Sequence, residues 1–303
     1  MKIPFLRPVV PPHVFCLLTD GVTYANVRRD PAGFAETRSF SYPAGSLGAS
    51  ASGTPLFTRE ALSEAVSAAR RLSEGRLTRA SVIFPDAWAR MLSIDFDTLP
   101  DAEAEAREMV RWKLKKLLPG VTAELAVSFR DMPTGEGKRL LVAAAPADTI
   151  SSIEKSFESL GVRVGLLSPS SLALFEGTAP LLSERAGGDY ALLHRAAGSL
   201  SFLIARGNAP LFYRQRPADE EPEAHAQELR LSLSYYEEKL KGPGLAALFV
   251  HDEAGRNAAD PLPPLPVAPV ALSGPLFGAD AEFDRSVATR PELLPGFAAV
   301  WGA

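Results

Sequence analysis

The sequence predicts an α/β fold of two lobes, each beginning with three antiparallel strands and continuing into alternating helices and strands. Three observations carry this. In His13 to Val27, HVFCLLTDGVTYANV, two apolar runs flank Thr19-Asp20-Gly21, and Asp-Gly between such runs is a strong hairpin signal. The same beginning recurs near Asp189, where Tyr190 to Arg195, Leu200 to Arg206 and Pro210 to Arg214 read as strands with turns at Ala197-Gly198 and Gly207-Asn208. After each of these starts, segments of helical and strand periodicity alternate, as in a mixed α/β chain.

The elements follow in order. Met1 to Pro12 is a proline-rich, extended arm. A third strand is expected over Glu36 to Tyr42, and the Ala, Gly and Ser residues between Pro43 and Pro55 read as a mobile surface loop. A helix begins at Thr58 as N-cap, carries the stripe Ala61, Leu62, Ala65, Val66, Ala69 and Leu72, and stops at Gly75. Arg79 to Phe84 is a buried-type strand ended by Pro85-Asp86, and Met91 to Phe96 alternates as a half-exposed one.

The helix Asp101 to Leu118 has the clearest ends in the chain. Pro100 and an Asp101 N-cap precede it and Pro119-Gly120 stops it. Glu103, Glu105 and Glu108 lie near its start and Arg111, Lys113, Lys115 and Lys116 near its end, complementing the helix dipole. Its stripe is Ala106, Met109, Val110, Leu114, Leu117 and Leu118, with Trp112 at the margin. Glu124 to Asp131 alternates again, and a turn at Pro133 to Gly137 leads to Arg139 to Ala145, read as a core strand. Strand, helix and strand between two core strands make a small inserted subdomain at about 87–137.

Pro146 to Leu160 is helical, Val162 to Leu167 a strand, and Ser168-Pro169-Ser170 starts a helix to about Glu176. Residues 1–180 form the first lobe and 181–303 a reduced second lobe. There a helix covers Glu223 to Leu240 and a strand Leu245 to His251. Gly255 to Pro275 is loop with one short strand at Val267 to Leu272, and Pro291 to Trp301 is a docking tail or short helix.

Composition excludes several functions. A chain of 303 residues with 46% apolar content can build a full core, burying about 75% of its unfolded surface. Its 32 Lys and Arg against 36 Asp and Glu give a net charge of −4, without the basic footprint of a nucleic-acid binder. A single cysteine, Cys16 in VFCLL, allows no internal disulfide and reads as a buried small hydrophobe. His13, His194, His225 and His251 have no metal-ligand spacing, so no metal is expected. Prolines interrupt the apolar runs of the first residues and no segment has the length of a spanning helix. The chain is expected in the cytoplasm, with any tie to the inner membrane made through a partner.

Two lobes with repeated three-strand beginnings point to the duplicated, ribonuclease H-like architecture of the actin and sugar-kinase group. The stretch FPDAWARMLSIDFDTLPDAEAEAREMVRWKLKKLLPG, followed by RLLVAAAPADTISSIEKSFESLGVRVGLLSPSSLALFE, resembles the PilM family, actin-like proteins of type IV pilus assembly. The cytoplasmic domain of the GspL family of type II secretion is the nearest alternative. The resemblance rests on PD after a strand, a helix with an acidic start and an RW pair, a VAAAP strand end and LGVRVGLLSPSSLAL. It implies an actin-like fold with an inserted subdomain and a scaffold role. It also implies a partner, the cytoplasmic segment of an inner-membrane PilN-like protein, among other pilus or secretion components.

In members of this family that bind ATP, two glycine-containing hairpins hold the phosphates, and backbone N–H groups, hydroxyls and a carboxylate near Mg supply the chemistry. The matching positions are Asp20, Gly21 and Thr23 in the first hairpin and Gly198 and Ser199 in the second. His194 and Arg195 stand where an acid and a glycine belong, and HDEAGRN follows the strand LAALFV in place of the paired glycines under the adenosine. The expectation is a degenerate site, no bound cofactor and no enzymatic activity, with ATPase activity using ATP and Mg as the alternative. Trp112 and Phe129 on the inserted subdomain are the expected partner contacts.

Overall fold

Two five-stranded sheets with the same strand order frame the molecule, as a computed structural model shows for residues 10–50, 53–118, 124–133, 137–196, 198–217, 222–253 and 265–303. In the first lobe the chain runs through β1 (His13–Leu17), β2 (Gly21–Arg29), β3 (Ala32–Ser41), β4 (Leu47–Ala49), β5 (Pro55–Phe57), α1 (Arg59–Leu72) and β6 (Arg79–Phe84). It continues through β7 (Arg90–Phe96), α2 (Glu103–Leu117), β8 (Leu125–Met132), β9 (Lys138–Pro146), α3 (Ala147–Ser159), β10 (Arg163–Pro169) and α4 (Ser170–Ala186). Then come β11 (Tyr190–Ala196), β12 (Ser199–Arg206), β13 (Ala209–Pro217), α5 (Pro222–Glu238), β14 (Ala247–Asp252), β15 (Pro269–Ala271), α6 (Gly274–Phe277), α7 (Ala281–Thr289) and α8 (Leu293–Trp301).

The sheet orders are β10-β6-β1-β2-β3 and β13-β12-β11-β14-β15. In each, three antiparallel strands in sequence are extended by two parallel strands on the side of the first. The duplication read from two hairpins therefore holds for the whole sheets.

Helices α4 and α8 share one core with the facing sides of both sheets. Val14, Cys16 and Ile83 of the first sheet, Tyr190, Leu192, Leu203 and Phe249 of the second, and Leu174, Phe175, Leu294 and Phe297 of the helices are buried in a single cluster. The outer face of the first sheet is covered by α1 and α3, with Phe15, Tyr24, Leu62 and Phe157 fully buried. The outer face of the second is covered by α5 through Leu229, Leu233 and Tyr236. The two central helices approach so closely that a Cβ on Gly177 would lie 2.0 Å from the carbonyl oxygen of Ala298.

Several expectations change. Arg139 to Ala145 does not join the lobe sheet: β9 is the middle strand of a separate sheet, β7-β9-β8. Both faces of β9 are covered, Leu140 and Val142 by α2 and Leu141 by the central core, so its run reads like a lobe strand. The Pro43 to Pro55 loop contains β4, which pairs antiparallel with β5 at its end. The third strand starts earlier than expected, at Ala32. Helix α2 has Ala102, not Asp101, at its N-cap, without a side-chain cap; Thr58 is the N-cap of α1, also without one. The α2 stripe narrows to Ala106, Val110 and Leu114, and Leu117 is exposed. Helix α4 passes Glu176 and Pro180 and ends at Ala186 before Gly187. Helix α7 had no counterpart in the sequence reading, and the apolar tail is α8, at the centre of the core. The helix stop Pro119-Gly120, the turn residues 134–136, Ala197, arm residues 1–9 and residues 255–264 of the expected loop lie outside the described residues.

Candidate functional site

The hairpin positions expected to face a triphosphate differ in their surroundings: Thr23 is engaged inside the protein, Asp20 is exposed, and the Ser199 hydroxyl has no hydrogen-bond partner among the described residues. In the first hairpin Leu18 N–H bonds the Gly21 carbonyl at 2.8 Å, so the turn is tight and Asp20 is exposed at its tip. Gly21 answers to packing, since a Cβ there would lie 2.4 Å from the Phe40 carbonyl oxygen. Thr23 is fully buried; its hydroxyl donates to Glu292 Oε1 at 2.6 Å and lies 3.2 Å from Ser39 Oγ. In the second hairpin Gly198 has φ +77° and faces Ala87, and Ser199 Oγ is buried with no hydrogen-bond partner among the described residues. Arg195 pairs with Asp252 at 2.7 Å, both nearly without exposure.

Asp86 organises the space between the lobes. It sits in a single 3₁₀ turn, Asp86–Trp88, after β6 and is fully buried. Its Oδ1 accepts from the Ser171 amide at 2.9 Å and the Ser170 hydroxyl at 3.2 Å, and its Oδ2 from the Ser201 hydroxyl at 2.7 Å. Ser170 and Ser171 begin α4, so Asp86 caps the positive end of that helix from another segment. Tyr213 donates to Ser201 at 2.8 Å, and Gln215 Nε2 donates to the Asp86 carbonyl at 2.7 Å. Asp86 of the first lobe is thus bound to two strands of the second, through its carboxylate to Ser201 on β12 and through its backbone carbonyl to Gln215 on β13. Burial raises the Asp86 carboxyl above its ordinary value, against the lowering effect of these hydrogen bonds.

The network continues through two buried histidines. His194 Nε2 lies 3.0 Å from Ser170 Oγ, His194 Nδ1 lies 3.0 Å from His251 Nδ1, and His251 Nε2 lies 3.0 Å from the Pro291 carbonyl. Residues 290–292 bridge both lobes, because Arg290 also bonds Ser39 and Thr37, and Glu292 takes Thr23.

Burial keeps both imidazoles neutral. His194 is lowered to about 3, and His251 to about 3 by burial and then by its neighbour His194. An unfolded chain protonates them near their ordinary 6.5. Their contribution to stability is complete above that pH and is lost as pH falls toward 3, at up to about 1.4 kcal/mol per pH unit for each. Asp86, raised above its ordinary 3.8 by burial, acts in the opposite sense. Urea unfolding is expected to give a lower midpoint at pH 5 than at pH 7. An equal or higher midpoint at pH 5 would contradict neutral burial.

The groups around the two hairpins differ in what they touch. A metal-bound triphosphate needs hydroxyls and a carboxylate open toward it from both hairpins, whereas Thr23, Ser201 and Asp86 are bonded to protein partners. Asp20 and Ser199 are left on separate hairpins. Sequence reading missed Asp86, Ser170, Ser171, Ser201, Tyr213, His251 and Glu292. Asp86, Ser170 and Ser171 lay within the PD and SPSS segments that carried the resemblance, and their meeting was the available signal.

The expected partner residues differ from each other. Trp112 is 58% exposed on α2 with Lys116 Nζ 3.6 Å from its ring centroid. Phe129 is half-buried on β8 and packs against the α2 cluster.

No protein-family model matches the chain, and no curated protein matches it. Among solved structures it is similar to a chain of the PilM-PilN type IV pilus biogenesis complex, with a TM-score of 0.72 and 19% identity over 97% of this chain and 98% of that one. It also matches a Bacteroides thetaiotaomicron protein of actin-like ATPase fold and unknown function, with a TM-score of 0.49 and 10% identity over 86% and 87%. A third match is the cytoplasmic domain of EpsL, an inner-membrane component of the Vibrio cholerae type II secretion system, with a TM-score of 0.48 and 10% identity over 88% and 91%. Among the described residues no helix is long and apolar enough to cross a membrane. The repeated sheet order and the full-length match together assign the chain an actin-like α/β fold of two lobes with a small subdomain inserted in the first.

Proposed function

We propose that the chain is an actin-like scaffold of a type IV pilus or type II secretion assembly. It binds the cytoplasmic segment of an inner-membrane PilN-like partner, is held at that membrane by it, and does not hydrolyse ATP. One observation carries the non-enzymatic reading: Asp86 and Thr23, which lie between or on the hairpins, have their polar atoms bonded to protein groups. The similarity over nearly the whole length to a chain of a PilM-PilN complex supports the partner class. The alternative, a nucleotide-binding ATPase using Asp20, Gly21, Thr23, Gly198 and Ser199, has the unpartnered Ser199 hydroxyl in its favour.

Calorimetric titration with a peptide of the partner's cytoplasmic segment tests the scaffold. Saturable binding is expected, and none at high micromolar peptide would count against it. Trp112→Ala is expected to weaken that binding while leaving stability within about 0.5 kcal/mol, because the side chain is exposed. Phe129→Ala is expected to lower stability through lost packing under α2. Unchanged peptide affinity in Trp112→Ala would remove Trp112 from the docking surface.

A further inference from the structure

His194 and His251 are 57 positions apart in sequence yet adjacent, because β11 and β14 run parallel with the two residues in register. Their ring planes differ by 6° and the centroids are 5.1 Å apart. With Nδ1 atoms at 3.0 Å the rings meet edge to edge, Nδ1 facing Nδ1. The outer nitrogens are anchored. The Pro291 carbonyl can only accept, so neutral His251 carries its hydrogen on Nε2. His194 Nε2 faces Ser170 Oγ at 3.0 Å and Glu253 Oε1 at 3.5 Å.

Two neutral arrangements are open to this network, and only the first places a hydrogen between the two Nδ1 atoms. In the first, His194 donates from Nδ1 to His251 Nδ1, and Ser170 donates to His194 Nε2. In the second, His194 carries its hydrogen on Nε2 and donates to Ser170 Oγ, while the Ser170 hydrogen points to Asp86 Oδ1 at 3.2 Å. The second leaves two Nδ1 lone pairs facing each other, which only a cation between them stabilises. No proton is gained or lost in passing from one to the other, and every acceptor it needs is in place.

We propose that His194 Nδ1, His251 Nδ1 and the Glu253 carboxylate form a binding site for a divalent transition-metal ion of the zinc type. One ligating atom from each residue lies within 4.8 Å of the others. Two imidazoles and a carboxylate are a donor set that suits zinc. A backbone carbonyl on one outer nitrogen and a Ser170-Asp86 relay on the other are the supports that metal-ligating histidines have. Tetrahedral coordination at ordinary zinc–nitrogen lengths separates the two nitrogens by about 3.3 Å. Binding therefore requires the two nitrogens to move apart by a few tenths of an ångström and the Glu253 carboxylate, whose Oε1 lies 3.5 Å from His194 Nε2, to turn toward Nδ1. The Glu253 side chain keeps 14% exposure, which leaves a route for the ion and a water ligand. The inference stands apart from the partner reading, since it concerns the second lobe's strand ends and residues before α8.

The test uses chelator-stripped full chain in a His13→Gln, His225→Gln background, so that the other two histidines contribute nothing. Titration with zinc chloride is expected to show one saturable site per chain at micromolar concentration and a rise in melting temperature. Cobalt(II) is expected to give visible absorption without a thiolate band. Binding is expected to fall at least tenfold in His251→Gln and in Glu253→Gln. Imidazole ¹⁵N spectra of the unsubstituted chain with zinc are expected to move both Nδ1 signals and leave both Nε2 protonated, a readout independent of how the variants fold. Absence of saturable binding, affinity retained in His251→Gln, a cobalt–thiolate band from Cys16, or zinc on Nε2 would each overturn the proposal.

Discussion

Replacing Gly177 by alanine is expected to destabilise the protein by about 3 kcal/mol, a large value for one methyl group. Gly177 lies where α4 meets α8, and an added Cβ would stand 2.0 Å from the Ala298 carbonyl oxygen and 2.2 Å from its carbon. Those atoms are helix backbone, so relief requires one helix to shift. Both are packed between the sheets by Leu174, Phe175, Leu294 and Phe297, none of which has room to move. Urea denaturation measures the loss through the midpoint. A change below about 1 kcal/mol would mean that α4 and α8 do not cross so closely.

Replacing Asp86 by alanine is expected to destabilise by about 3–5 kcal/mol, the range for removing one member of a buried charged network. The Ser171 amide and the Ser201 hydroxyl lose their carboxylate acceptor, the start of α4 loses its cap, and a link between lobes is removed. Asp86→Asn retains one acceptor and nearly the same volume, so it is expected to lose less than the alanine variant. Equal stabilities for the aspartate and alanine forms would show that the contact network does not hold the lobes together.

The elements legible in the sequence are those decided locally. The Asp20-Gly21 hairpin, the amphipathic α1 and α3 and the three-strand start of the second lobe need only nearby residues, and they lie close to where periodicity and turn chemistry put them. Long-range packing decided the rest. Gly177 and Pro180 read as breakers in isolation, yet α4 continues through both because its flanks are held by two sheets. The run Arg139 to Ala145 is apolar on both faces, which cannot tell a lobe strand from the middle of a subdomain sheet. The departures from the nucleotide-binding pattern, His194 and Arg195 among them, were legible in the sequence. The network around Asp86 was hidden, because Asp86, Ser170, Ser201, His251 and Glu292 come from five separate segments. Their sequence neighbourhoods show a strand end, a helix start and single strand residues, and only the doubled sheet brings them together.

We propose that Asp86, Thr23 and Ser201 serve contacts within the protein and that the hairpins bind no nucleotide. Thermal unfolding with Mg-ATP raised to millimolar concentration tests it most directly, because a ligand that binds the folded state must stabilise it by mass action. The melting temperature is expected to stay unchanged across the titration. A saturable rise of several degrees that depends on Mg and is abolished by Asp20→Ala would contradict it.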